Sequence, residues 1–468
     1  MISLRPYQGD IVQKIRESYK RGMKSPLAVA PTGAGKTVIF SHIAANVSAR
    51  GKSVLILVHR VELLRQTSAA LSKSSVRHGL INPKFTPDLK APVQVCSVQT
   101  LNKRMQKYAL DPDLIIVDEA HHATAGTWRK ILEYYKKARV LGVTATPIRG
   151  DGVGLGSNCG GLFDDLIVGP QVPDLIAGGY LVAPVIYAPM ERIDLTGVRV
   201  KMGDYDKEEL AKRLDKPHIT GNAVAHYSKL CPGTPAVAFC VSIAHAEHVA
   251  NEFRSAGFSA YAVDGSMEDD VRKRILNGLG NGSVDIVTSC DLISEGTDIP
   301  AIGCAILLRP TQSLGLFLQQ VGRALRPCEG KDRAIILDHV GNVITHGMPQ
   351  EEREWTLDGE IKKKKKREKE ASVRVKQCPK CYAVHEPAPN CPHCGHFYES
   401  EVNKLEQREG ELKQITEQDA LQLKRIKAWE ISKAKTKEEL DTIAAARGYK
   451  PGWSTYILKA RAQKQGTA

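Results

Sequence analysis

The chain has 468 residues, 42% of them hydrophobic and 25% charged, a length beyond one ordinary core and sufficient for two or three domains of typical size. Lys and Arg number 66 against 52 Asp and Glu, a formal net charge of +14, and that excess favours a polyanionic partner, nucleic acid first. No apolar run approaches the roughly 18 residues a membrane span requires, and the opening Met1 to Gln8 lacks the basic and long apolar regions of a secretory signal, so a cytoplasmic protein in a reducing setting, with no membrane partner, is expected.

In chain order, Leu4-Arg5-Pro6-Tyr7-Gln8 precedes a helix-like stretch from Gly9 to Lys20. The Gln8 amide carries donors and an acceptor and can pair with the edge of an adenine. The apolar Leu27-Ala28-Val29 then runs into Ala30-Pro31-Thr32-Gly33-Ala34-Gly35-Lys36-Thr37 and a helix-like continuation. A strand that passes through a Gly-rich turn into a helix start aims backbone N–H groups at one point, which suits a phosphate. Gly33 and Gly35 allow the turn, Lys36 reaches the outer phosphates, and the Thr37 hydroxyl is placed for Mg²⁺. Ala30 replaces the leading glycine of the usual eight-residue pattern.

Ser53 to Val58 is a continuous apolar run, as for a strand covered on both faces, and it delivers Arg60 to the C-terminal sheet edge, where ligands bind in parallel sheets. There Arg60 can meet a phosphodiester or simply start a helix. Val93 to Leu101 predicts another strand and turn. Leu114-Ile115-Ile116-Val117 presents Asp118-Glu119-Ala120-His121 at a strand end. An acidic pair there is costly unless it meets a cation, so Asp118 is assigned to hold Mg²⁺ and Glu119 to orient or deprotonate the attacking water. Val140 to Val143 ends in Thr144-Ala145-Thr146-Pro147, whose hydroxyls can relay nucleotide state by hydrogen bonding, or form only a turn. Gly150 to Gly161 reads as a flexible loop.

A second strand–helix alternation starts near Ala236 and predicts a second parallel sheet. It carries Ser294-Glu295-Gly296-Thr297-Asp298-Ile299-Pro300 and Gln319-Gln320-Val321-Gly322-Arg323-Ala324-Leu325-Arg326. Arg323 and Arg326 lie three apart, on one face if the stretch is helical, and can clamp phosphate, with Arg326 as the arginine finger or a surface salt-bridge partner instead. Residues 360–369 are a charge run that reads as a solvated basic linker, with added phosphate contact as the alternative. Cys378-Pro379-Lys380-Cys381 and Cys391-Pro392-His393-Cys394 are paired C-x-x-C knuckles, a spacing that closes a tetrahedral Zn²⁺ site.

Taken together, Gln8, Ala30 to Thr37, the Asp118 to His121 box, Thr144 to Thr146, Ser294 to Pro300 and Gln319 to Arg326 resemble the superfamily 2 helicases of DEAH-like type in order and separation. The resemblance covers roughly residues 1 to 345. It implies two tandem RecA-like parallel-sheet domains that bind ATP in their cleft and grip a nucleic-acid strand across their tops. By that resemblance Thr32, Gly33 and Ala34 join Lys36 and Thr37 around ATP, Asp298 sits near its ribose, Arg60 and Thr297 touch the phosphate backbone, and His121, Thr144, Thr146 and Gln319 couple the two activities.

The knuckles and tail are similar to the bacterial RadD group of DNA-repair helicases, which favours DNA as partner and a repair or replication protein bound through the zinc module or tail. The expected organisation is an ATP-binding RecA-like domain over 1–185, an inter-domain segment over 186–225, a second RecA-like domain over 226–345, a basic linker over 346–376, a zinc module over 377–398 and a helical tail over 399–468. The expected function is an ATP- and Mg²⁺-dependent helicase or translocase in DNA repair, recombination or replication. A duplex translocase that does not separate strands and a nucleotide-switched DNA-binding scaffold are the alternatives.

Overall fold

The structure, a computed structural model, describes residues 3–123, 126–149, 154–189, 198–201, 204–206, 208–210, 217–290, 299–358, 376–378, 380–386, 388–397, 434, 436–446, 454 and 458. Two parallel-dominated sheets account for most of it, and both follow from apolar runs that are buried end to end.

The first sheet holds β1 (Pro26–Val29), β2 (Val54–Val58), β3 (His78–Ile81), β4 (Val93–Ser97), β5 (Leu114–Asp118), β6 (Arg139–Thr144) and β7 (Asp165–Val168) in the order β3-β4-β2-β5-β6-β1-β7. All of its pairings are parallel. Every residue of β1, β2, β4 and β5 is buried, as a sheet with helices on both faces requires. Parallel register brings the C-terminal ends of β1, β2, β5 and β6 to one edge, and the predicted phosphate loop and acidic pair share it. After β4 the chain makes a helix, Val98–Tyr108, where a turn was expected.

A two-residue hairpin, β9 (Val200–Lys201) with β10 (Asp204–Tyr205), precedes the second α/β unit. The second sheet comprises β8 (Ala183–Tyr187), β11 (Ala236–Phe239), β12 (Ala260–Val263), β13 (Ile286–Ser289), β14 (Cys304–Leu307), β15 (Arg333–Asp338), β16 (Lys376–Gln377) and β17 (Ala383–His385), in the order β12-β13-β11-β14-β15-β8-β17-β16. The first six are parallel, and β17 and β16 add antiparallel to β8.

The limits expected from composition sit differently from these sheets. β8 straddles residue 185 and pairs with β15 from Ala183↔Arg333 to Tyr187↔Leu337, so the second sheet begins before the expected inter-domain segment. Helix Pro217–Leu230, expected to lie mostly in that segment, covers the second sheet through buried Ala223 and Tyr227. The knuckles likewise share the sheet through β16 and β17. Residues 346–358, expected as linker, strap back over the first sheet. Leu357 O accepts from Gly156 N at 2.9 Å, Gln171 Nε2 donates to Arg353 O at 3.1 Å, and Trp355 and Leu357 pack on the first sheet's core. The same contact corrects the reading of a flexible loop up to Gly161: from residue 154 onward, fully buried Leu155 and Phe163 pin it down.

One buried cluster takes in side chains of both sheets, including Ala34 from the first and Leu325 from the second. A charged clasp joins them elsewhere: Asp269 meets Arg65 at 2.6 Å and Lys84 at 3.2 Å, and Arg272 meets Glu62 at 3.0 Å and Asp269 at 2.6 Å.

Residues 1–398 form one compact unit and 399–468 another. In the second, helix Lys437–Ala446 is described; Thr436 Oγ1 accepts from Glu439 N at 3.2 Å while Glu439 Oε2 accepts from Thr436 N at 3.1 Å, a reciprocal cap. Among the described residues no helix is long and apolar enough to cross a membrane.

Candidate nucleotide and nucleic-acid site

The phosphate loop turns between β1 and helix Lys36–Ser48. Gly33 and Gly35 take φ of +90° and +79°, left-handed conformations that glycine adopts without steric cost. A Cβ on Gly35 would lie 2.5 Å from Gln8 Nε2, so the loop is also pressed against the first helix, Pro6–Lys20. Gln8 is buried; its Nε2 donates to Ala34 O at 3.0 Å and its Oε1 accepts from Arg5 N at 3.0 Å. Its amide therefore clamps the loop from the side where the sequence places an adenine edge. Tyr7 adds a second clamp from its hydroxyl to Ala34 O at 2.9 Å and stands edge-on to Tyr180 at 5.0 Å, with Arg5 4.8 Å over the Tyr180 ring. These three side chains went unread in the sequence, where only the neighbouring Gln8 drew notice.

Five charges converge on the loop. Burial, the largest influence, holds the Lys36 ammonium below the ordinary lysine value; Glu119 and Asp118 pull it up, and Arg323 and Arg326 push it down. Three cations against two carboxylates at a partly dehydrated point leave a net positive charge, which favours an anion rich in oxygen. Thr37 is the second residue of the helix and Asp118 the last of β5; hydroxyl and carboxylate oxygens are the hard donors Mg²⁺ takes.

Asp118 and Glu119 are 4% and 8% exposed. The Glu119 backbone takes φ of +48°, uncommon for a residue with a side chain and characteristic of functional turns, and its N–H donates to Asp118 Oδ1 at 3.0 Å. Around its Oε2 stand His121 Nδ1 at 3.5 Å and Gln319 Nε2 at 3.5 Å, the latter from the second sheet's helix Leu314–Ala324. His121 Nδ1 also lies 3.0 Å from Thr144 Oγ1, which donates to Thr146 O at 3.0 Å. A continuous polar chain thus runs from Gln319 through Glu119 and His121 to Thr144 and Thr146.

Two glycines on helix Leu314–Ala324 make this closeness feasible. A Cβ on Gly322 would meet Thr32 Cβ at 2.6 Å, and one on Gly315 would meet Thr146 Oγ1 at 2.8 Å. Their spacing of seven places both on one face, and that spacing was the signal the sequence offered. Arg323 is buried in this helix; Arg326 follows it, and a Cβ on Gly33 would lie 3.6 Å from Arg326 Cγ. Lys331 Nζ donates to Arg326 O and Ile302 O, both at 2.6 Å, which holds the turn after the helix.

Arg60 stands at the start of helix Val61–Lys73, at the C-terminal end of β2. Nearby, Gln99 Nε2 donates to His59 O at 3.3 Å and the His59 ring meets His122 at 4.9 Å, so the ends of β2, β4 and β5 share one face. Thr297 and Asp298 lie outside the described residues.

The four knuckle sulfurs fall within 4.8 Å of one another, with Cys378–Cys394 and Cys381–Cys391 both at 3.6 Å. Zinc–sulfur bonds of about 2.3 Å in a tetrahedron put thiolates about 3.8 Å apart, so this set fits Zn²⁺.

Comparison with known proteins agrees with this geometry. The profile of the family described as type III restriction enzyme, res subunit, matches residues 1–149, and that of the helicase conserved C-terminal domain matches residues 222–328. A 51.5 kDa protein of a Lactococcus phage is 34% identical over 423 residues, 87% of this chain and 88% of that protein. The chain belongs to the superfamily 2 helicases. As a superfamily 2 helicase it hydrolyses ATP with Mg²⁺ and binds nucleic acid. Similarity extends to the Saccharomyces cerevisiae protein named ATP-dependent helicase IRC3, 31% identical over 361 residues, 72% of this chain and 51% of that one, so the chain spans about half of that relative. The ATP-dependent type ISP restriction-modification enzyme LlaBIII, solved bound to DNA, shares the fold with a TM-score of 0.54 and 19% identity over 72% of this chain and 28% of its own.

Proposed function

We propose that this superfamily 2 helicase is a DNA motor in which closure of the second sheet on the first completes the ATP site. The observation that carries the reading is the convergence of Lys36, Asp118 and Glu119 from the first sheet with Arg323 and Arg326 from the second. In this reading Thr32, Gly33, Ala34, Gly35, Lys36 and Thr37 cradle the polyphosphate with backbone N–H groups and the ammonium. Thr37 and Asp118 would hold Mg²⁺, which neutralises phosphate charge when bound. Glu119 orients the attacking water and takes its proton; His121 and Gln319, on the same oxygen, report its state to the Thr144–Thr146 turn. Arg326 serves as the arginine finger, a role worth about 10³–10⁵ in turnover, so hydrolysis depends on closure. Asp298 is assigned to the ribose and Arg60 and Thr297 to the DNA backbone.

The zinc knuckles, which share the second sheet, and the tail support grouping with the RadD-type repair helicases, and with it work in DNA repair, recombination or replication beside a protein partner. The domain limits follow the sheets: a first domain to about residue 182, a second from β8 that includes the knuckles, and the tail from 399. Pumping of duplex without strand separation is the second reading, favoured by the res-subunit match over residues 1–149.

The test is the ATPase rate on single-stranded, duplex and forked DNA and on RNA at several salt concentrations, with strand-displacement and triplex-displacement assays alongside. DNA should stimulate most, with a steep loss as salt rises. Stronger stimulation by RNA, or none by any nucleic acid, contradicts the proposal. Triplex displacement without strand displacement selects the second reading.

A further inference from the structure

The two knuckles are built alike with one exception. In the second, Gly395 follows the last cysteine with φ of +69°, and its N–H donates to Cys391 O at 2.9 Å. In the first, the same turn is made with φ of +62° and the same bond from N–H to Cys378 O at 2.8 Å, but the residue is Tyr382. A left-handed backbone costs free energy for any residue with a Cβ, and glycine is the default. Burial does not offset that cost, because Tyr382 is 56% exposed.

What surrounds the ring explains it better. Tyr382 stands at a cavity of about 530 Å³ whose lining includes Tyr187, His226, Lys229, His339 and Lys380. Lys229 Nζ lies 5.9 Å from the Tyr382 ring centroid, and the rings of His226 and His339 stack at 5.2 Å with 29° between planes. His339 Nε2 is buried with no hydrogen-bond partner. Burial pushes the His339 imidazole down to about 4 and His226 also below its ordinary value, so both rings are neutral near pH 7. The one acid in the lining, Asp338, turns its oxygens to the N–H groups of Val340 at 3.3 Å and Val343 at 2.7 Å. A flat neutral floor, an exposed aromatic wall and two lysines match a nucleobase with its phosphate.

We propose that this cavity between the first knuckle and the second sheet takes one base of a single strand, stacked on Tyr382 with its phosphate between Lys229 and Lys380. The site is distinct from the strand-end face that carries Arg60. The inference rests on the nucleic-acid motor reading for its ligand and on the Tyr382 turn for its place.

The experiment compares wild type, Tyr382→Gly, Tyr382→Phe and Lys229→Ala. Binding to an oligonucleotide with a single 2-aminopurine is measured without nucleotide, and zinc content and duplex-stimulated ATPase are measured in parallel. Tyr382→Gly relieves the backbone, so zinc content and duplex-stimulated ATPase should be kept. Loss of one stacked base should weaken single-strand binding about 5- to 150-fold and abolish 2-aminopurine quenching. Tyr382→Phe should bind like wild type, and Lys229→Ala should lower the salt slope by about one phosphate. Single-strand affinity of Tyr382→Gly within twofold of wild type, or equal losses for the Gly and Phe variants, overturns the inference. A wild type whose ATPase ignores DNA overturns the motor reading instead, and binding alone judges the cavity.

Discussion

The contact between Gly322 and Thr32 gives the sharpest prediction for closure. Alanine at 322 would place its Cβ 2.6 Å from Thr32 Cβ and 2.8 Å from Cγ2, whereas carbons rest at about 3.5–4.0 Å. Thr32 Cβ is fixed to the phosphate-loop backbone and no rotamer moves it, so helix and loop must part by about 1 Å. Alanine is the better helix former by up to about 1 kcal/mol, so the fold itself is not weakened. A displacement of about 1 Å at reacting groups costs about 10² in rate, and the DNA-stimulated kcat of Gly322→Ala should fall by that factor while its Tm holds or rises. Gly315→Ala meets the Thr146 hydroxyl at 2.8 Å, a group that can swing about χ1, and should lose less than about tenfold by the same reasoning. Gly280→Ala, whose Cβ would meet only Ile299 Cγ2 at 3.7 Å, should keep full kcat. Wild-type kcat in Gly322→Ala, or equal losses at 322 and 280, would refute the idea that this helix must seat on the loop for hydrolysis.

Three further outcomes follow from other contacts. The chain should carry one zinc, and Cys391→Ser or a strong chelator should remove it and destabilise the segment around β16 and β17 while leaving the first sheet's thermal transition in place; metal analysis and calorimetry check this. In the clasp, Arg65 first and Lys84 next hold the Asp269 carboxyl far below the usual range. A depressed carboxyl contributes in full above the unfolded value near 4 and loses its contribution as pH falls below it. Asp269→Asn should therefore cost about 1–2 kcal/mol, the same at pH 6 and pH 8 and less below pH 4; a cost that varies between pH 6 and 8 contradicts it. For His339 the folded value near 4 lies below the unfolded 6.5, so its contribution is present above pH 6.5 and lost as pH falls toward 4. The neighbouring Asp338 is raised to about 6 by burial and acts oppositely, losing its contribution as pH rises from about 4 to 6. His339→Gln should accordingly lose less stability on acidification than wild type, by up to about 3 kcal/mol, in chemical denaturation at pH 7 and pH 4.5.

The phosphate loop, the acidic pair and the cysteine knuckles could be read because each places its chemistry within a few residues. Lys36, Asp118 and Glu119 meet because β1 and β5 are parallel strands of one sheet, an arrangement that alternating apolar runs announce. The fate of β8 was not legible: Ala183 to Tyr187 is an ordinary apolar run, and only pairing with β15, some 150 residues away, assigns it to the second sheet. Residues 346–358 misled for a related reason, since Trp355 and Leu357 bury against a surface made by distant segments. Gln8 was read by what its amide could bind, and its contact with the loop's own Ala34 carbonyl was not legible, because that contact is set by how the first helix packs on the loop. Gly322 stood inside a motif whose charged and amide residues carry the chemistry, and Gly315 lay outside any motif, though closure depends on what these two positions lack.

The most direct test of the central claim is DNA-stimulated ATP hydrolysis by wild type beside Glu119→Gln and Lys36→Ala, with nucleotide and DNA binding measured on the same samples. Removal of the general base or of the phosphate cation should abolish stimulated turnover in both variants, while Glu119→Gln still binds ATP and DNA and both still fold. Undiminished turnover in the two variants would contradict the assignment of this loop and acidic pair as the engine of the motor.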